Sequence, residues 1–93
     1  MVLNDLETRI FKGLRRKSKT VREVAQSHRI TEGSARYILD KLFEARVLTT
    51  RYSDVSVRRN GKVYRPKTKF YMAVHTPAYL TKMYGVQFTG KVQ

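Results

Sequence analysis

The sequence predicts an α+β fold: a three-helix core, a long β-hairpin and a short C-terminal helix. Three observations predict it. Helix-start signals recur at Asn4, Thr20 and Thr31, each followed by apolar residues at helical spacing. Beyond Arg46 the apolar period shortens from that of a helix to the alternation of a strand. Asn60-Gly61 lies in the middle of the alternating stretch, and this dipeptide is the strongest short-range signal for a hairpin turn.

The first helix starts at Asn4, which with Glu7 forms a capping box. Leu3, Leu6, Ile10 and Leu14 then share one side. Gly13 interrupts that side at a cost of about 1 kcal/mol against alanine, which predicts another element packed closely against it. The polar run from Arg15 to Lys19 reads as a loop. Thr20 and Glu23 open the second helix with another capping box, and Val21, Val24 and Ala25 form its stripe. Thr31 caps the third helix, over 31–44. At about 100° per residue, Ala35, Ile38, Leu39, Leu42, Phe43 and Ala45 share an inner arc. Gly33, Tyr37, Asp40, Lys41 and Glu44 face outward, with Ser34 and Arg36 on the flanks.

A two-residue turn at Asn60-Gly61 sets the hairpin register. It pairs Val47 with Val74, Thr49 with Met72, Arg51 with Phe70, Val55 with Pro66 and Val57 with Tyr64. Each of these pairs holds an apolar residue, so this face is expected to meet the core, with Phe70 and Tyr64 packed in it. With the faces inverted, Tyr52 and Tyr71 of the other face would cover the helices instead. The opposite face carries Leu48/Ala73, Thr50/Tyr71, Tyr52/Lys69, Asp54/Lys67, Ser56/Arg65 and Arg58/Val63. Pro66 predicts an edge position or a bulge. Thr76-Pro77 caps a closing helix that ends at Gly85, and the residues after it read as a frayed tail.

A chain of 93 residues is expected to be one domain over 1–93, with core and hairpin in 4–74 and the short helix and tail in 75–93. The absence of cysteine excludes disulfides and thiolate metal sites. His28 and His75, the two histidines, stand far apart without carboxylate company, so no metal site, no cofactor and no enzyme are expected. No apolar run is long enough to cross a bilayer and no export signal is visible. A cytoplasmic protein is therefore expected, associated with a nucleoid or, if viral, in the host cytoplasm. The net charge of +13 points to a polyanionic partner. Residues 1–44 hold ten bases and six acids, whereas residues 45–93 hold ten bases and one acid, Asp54. The second half therefore carries the stronger field.

With Val24-Ala25 at a close helix crossing, Ile30 under the turn, Ala35 and Ile38 packing back, and the Asn60-Gly61 hairpin following, residues 4–74 resemble a winged helix-turn-helix DNA-binding domain. His28-Arg29 stands where that family commonly has glycine in the turn. The resemblance implies that helix 31–44 enters the major groove of double-stranded DNA and that the hairpin, as a wing, holds the backbone or minor groove. Thr31, Gly33, Ser34, Arg36, Tyr37 and Lys41 are then the reading residues, with Asp40 paired to Arg36. Arg58, Arg59, Lys62, Arg65, Lys67 and Lys69 are the wing's phosphate contacts. A transcriptional regulator is the expected function. One alternative partner is structured RNA, as in a ribosome-associated protein, whose deep major groove would leave the work to the wing. Another is an acidic protein surface, with this chain as a small basic inhibitor of a larger machine. Tyr79, Leu80, Met83 and Tyr84 mark 77–84 as the segment for such a contact or for a homodimer.

Overall fold

Capping chemistry starts every helix where the sequence signals it. In the computed structural model, which describes residues 1–54, 57–64 and 67–89, helix α1 runs over Asp5–Arg16. The Asn4 side chain accepts from the Glu7 amide at 2.8 Å, and Glu7 Oε1 accepts from the Asn4 amide at 2.9 Å. Thr20 and Glu23 repeat this reciprocal pair at the start of α2 (Val21–His28). The Thr31 hydroxyl accepts from the Ser34 amide at the start of α3 (Glu32–Glu44). The closing helix α4 (Pro77–Tyr84) has Thr76 as cap and Pro77 in its first turn, and stops at Gly85, whose φ is 65°. Each cap satisfies amides that the helix itself leaves without acceptors.

The turn between α2 and α3 is made without glycine. Arg29 takes the left-handed conformation, φ 55° and ψ 46°, and the Ile30 amide donates to the Ala25 carbonyl at 3.0 Å. A side chain in this region costs about 1 kcal/mol. The core closes around it, with Ile10, Phe11 and Leu14 from α1, Val24 and Ala25 from α2, and Ala35, Leu39 and Leu42 from α3.

After α3 the chain forms an antiparallel hairpin whose described strand pairs keep the expected register. The expected Val47/Val74 and Leu48/Ala73 pairs fall outside the strands, because the Val47 and Leu48 amides donate to the Leu42 carbonyl and the Ala73 amide to that of Leu14. Strand β2 (Thr49–Asp54) pairs with β5 (Lys67–Met72), and β3 (Val57–Arg59) pairs with β4 (Lys62–Tyr64). Asn60 and Gly61 connect them with φ of 50° and 74°. Positive values at both turn positions match the right-handed twist of the paired strands. The expected Val55/Pro66 and Ser56/Arg65 pairs, and the bulge at Pro66, lie outside the described residues.

At its base the hairpin turns inward the face opposite to the expected one, although Val47 of the expected face is also buried and Tyr52, farther out on the other face, is exposed. Tyr71 is 2% exposed, and Leu48 and Ala73 are buried beside it, whereas Val74 is 55% exposed and Met72 and Phe70 are half-buried. Counting apolar residues favoured the wrong side because two features offset it. The Tyr71 hydroxyl finds an acceptor inside, donating to Asp40 Oδ1 at 2.7 Å. On the outer side the Arg51 guanidinium lies 5.2 Å from the centre of the Phe70 ring, so that aromatic is used at the surface.

Three further expectations change. The polar run after α1 is not a plain loop: Arg15 and Arg16 belong to α1, and Lys19 exchanges two backbone hydrogen bonds with Tyr71, at 3.0 and 2.8 Å. The frayed tail is instead partly built in. Val2–Leu3 (β1) pairs in parallel with Gln87–Phe88 (β6), Leu3 and Val86 are buried, and Phe88 packs on Phe11 at 5.0 Å between ring centres. No element packs tightly on Gly13, where an added Cβ would meet the Lys19 ammonium at 3.8 Å. Among the described residues, no helix is long and apolar enough to cross a membrane.

Candidate nucleic-acid interface

Helix α3 is divided along its length. Its N-terminal half presents the expected reading residues. Thr31, Gly33, Ser34, Arg36 and Tyr37 are all exposed, Tyr37 at 71%. Thr31 Oγ1 also donates to Ser34 Oγ at 2.9 Å, which orients the serine hydroxyl and leaves its own proton for a partner. A Cβ on Gly33 would meet nothing within 4 Å, so no packing inside the chain requires glycine there. What its small size provides is open backbone on an exposed helix start. Unpaired amides at such a start carry partial positive charge.

The C-terminal half of α3 is spent on holding the fold. Lys41, expected among the reading residues, donates instead to Glu7 Oε2 of α1 at 3.0 Å. The Glu7 side chain is almost wholly buried, and an unpaired carboxylate there would be costly, so it claims the nearest ammonium. That hydrogen bond, and the Glu7 charge with it, holds the Lys41 pKa above its ordinary value. Asp40 does not pair with Arg36, because its carboxylate accepts from Tyr71. Phe43, expected on the inner arc, is exposed, and the Lys69 ammonium lies 5.8 Å from its ring centre.

Lys69 departs from its expected role for the same reason. Its ammonium lies 5.0 Å from the centre of the Tyr71 ring and hydrogen-bonds that side chain, which raises its pKa, with the Asp40 charge adding to the shift. Burial, and then the bond to Asp40, push the Tyr71 pKa up, so the phenol keeps the proton it donates. Tyr71, Asp40 and Lys69 thus form one polar junction between the base of the hairpin and the middle of α3. A second tie joins Arg51 to Ser18 at 3.1 Å. Tyr71 was not legible as a site residue, since its sequence signal was only one aromatic in an alternating strand.

The hairpin tip differs. Arg58, Arg59 and Lys62 are exposed, as is Lys67 nearer the base, whereas Arg65 lies outside the described residues. Arg59 and Lys62 face each other directly across the strand pair. Like charges in that position repel, and neither they nor Arg58 nor Arg36 has a carboxylate partner among the described residues. Sequence reasoning also missed Arg22, Gln26 and Arg29, which line a shallow groove of α2 beside Thr31 and Glu32. The 77–84 segment is only partly available. Leu80 is buried, while Tyr79, Met83 and Tyr84 are exposed, with Tyr79 stacked on His75 at 4.5 Å.

No protein-family model, curated protein or solved structure matches the chain. The assignment of a function therefore rests on the geometry above.

Proposed function

We propose that the chain is a winged helix-turn-helix protein that binds double-stranded DNA in a sequence-dependent way and regulates transcription. The observation that carries this reading is the opposed, acid-free cation pair Arg59 and Lys62 at the hairpin tip. Two cations held face to face destabilise the free protein, and a phosphate backbone would turn that repulsion into attraction. Arg58, beside them, adds a third cation to the tip.

The start of α3 supplies the reading element. Arg36 is suited to the acceptor edge of guanine and Ser34 to either partner of a pair, while Tyr37 adds contact area. Asp40 and Lys41 are tied to Tyr71 and Glu7, so a tilted entry by the N-terminal half keeps the α3 carboxylates away from phosphates. The Tyr71 junction sets the angle between wing and reading helix.

Binding to random duplexes over a salt series tests the proposal. Arg58→Ala with Arg59→Ala removes two phosphate contacts, so affinity for all sequences should fall and the log–log salt slope should shrink by about 1.8. An unchanged slope refutes the wing assignment. Arg36→Ala should relax base preference at one position, worth about 1–3 kcal/mol of discrimination, while leaving the salt slope nearly as it was. Selection that enriches no motif, or duplex RNA competing as well as DNA, would move the reading to RNA.

A further inference from the structure

We propose that the outer face of α1 is a second phosphate-binding surface, which takes the backbone of a second DNA duplex so that one chain bridges two. This rests on the DNA-binding reading of α3 and the hairpin. Arg9, Lys12 and Arg16 line a shallow depression together with Gly13. Lys19 reaches over from the segment after α1, with its ammonium 3.8 Å from where a Cβ on Gly13 would stand. The same ammonium donates to Ser27 Oγ at 3.3 Å, so the last turn of α2 closes the far side. His28 belongs to that turn and is half-buried. Burial, followed by the positive charges of Lys19 and Arg9, holds its pKa below the ordinary value. The acid at this face, Asp5, is exposed and lies 3.7 Å from Arg9 Nε at the edge of the depression.

This surface points away from α3. At about 100° per residue, Arg9, Lys12 and Arg16 fall on the side of α1 roughly opposite Glu7. Glu7 is the residue that grips Lys41 of α3. A duplex held by α3 and the hairpin therefore leaves the α1 face open to a second one.

The chemistry of the face selects the partner. Its lining is cationic over a bare glycine, with no aromatic or branched apolar side chain. Protein partners are anchored by buried aromatic and apolar groups, and a lipid surface needs apolar residues to insert. A phosphate backbone needs neither. Arg9 and Arg16 stand about 10 Å apart along the helix axis at 1.5 Å per residue. One DNA strand offers roughly three phosphates over that length.

A capture assay tests the inference. One duplex is fixed to beads, the full-length protein is added, and retention of a second, fluorescent duplex is read. Wild type should retain it. Arg9→Ala with Arg16→Ala should cut retention about tenfold at moderate salt, while affinity for a single duplex changes less than about threefold. Wild type that binds the first duplex but retains no second one overturns the inference and leaves the DNA reading intact. Undiminished retention by the double variant also overturns it, and would assign bridging to contact between copies of the chain. Failure to bind any duplex would overturn both readings.

Discussion

The base and the tip of the hairpin carry similar residues and put them to opposite uses. At the base, Lys69 is held by Tyr71 beside Asp40, and Lys19 is paired with Tyr71 through the backbone. At the tip, Arg58, Arg59 and Lys62 are exposed, connected only through a turn with two positive φ values. Position along one ribbon thus decides whether a charge is tied into the protein, as at Lys69, or stays exposed, as at Arg58, Arg59 and Lys62. The cause is reach. Near the base Lys69 finds an α3 carboxylate and ring faces close by, whereas at the tip Arg59 faces another cation, Lys62, and Arg58 faces Val63.

The contrast can be broken most severely at Tyr71. Tyr71→Ala should cost about 3–5 kcal/mol in urea unfolding, as for other large buried aromatics. Arg58→Ala with Arg59→Ala should change stability by less than about 0.5 kcal/mol. Equal losses from the two variants would mean that tip and base are one cooperative unit with no division of labour.

Tyr71→Phe is gentler. It keeps the ring and removes the hydroxyl that donates to Asp40 and accepts from Lys69, so stability should fall by about 1–2 kcal/mol. If the junction sets the angle of α3, base preference should weaken in this variant while the salt slope is retained. A variant that loses stability but keeps full base preference would reduce the junction to a structural contact.

Acidification should have the smallest effect. The folded pKa of His28 lies below its ordinary value, so the unfolded chain takes up the proton more readily than the folded one. Its contribution to stability is present above the ordinary histidine range and is lost as pH falls through that range towards the lowered folded value. Melting followed over this window should show a decline that His28→Gln flattens, with tip amides in an NMR spectrum unmoved. Tip resonances that shift with His28 would couple hairpin and helical body.

The caps, the turn and the register were legible because each is decided by neighbours in the chain. Asn4 with Glu7, Thr20 with Glu23, Thr31 with Ser34, Thr76 with Pro77, and Asn60 with Gly61 act over a few residues, and all appear where the sequence signals them. The exposed half of the candidate site, Thr31 to Tyr37 and Arg58 to Lys62, was legible for the related reason that periodicity separates inner from outer residues.

Facing across the molecule was decided only in three dimensions. Which side of the hairpin turned inward depended on Asp40 standing where the Tyr71 hydroxyl could reach it, thirty-one positions away in the chain. Lys41 became a structural residue because Glu7 was buried beside it, and the C-terminal strand formed because Val2–Leu3 lay free to pair. Local sequence determines where elements begin and end, because caps and turns satisfy nearby backbone groups. Only tertiary packing brings distant donors and acceptors together, and those meetings decided which charges were used inside the fold and which stayed exposed.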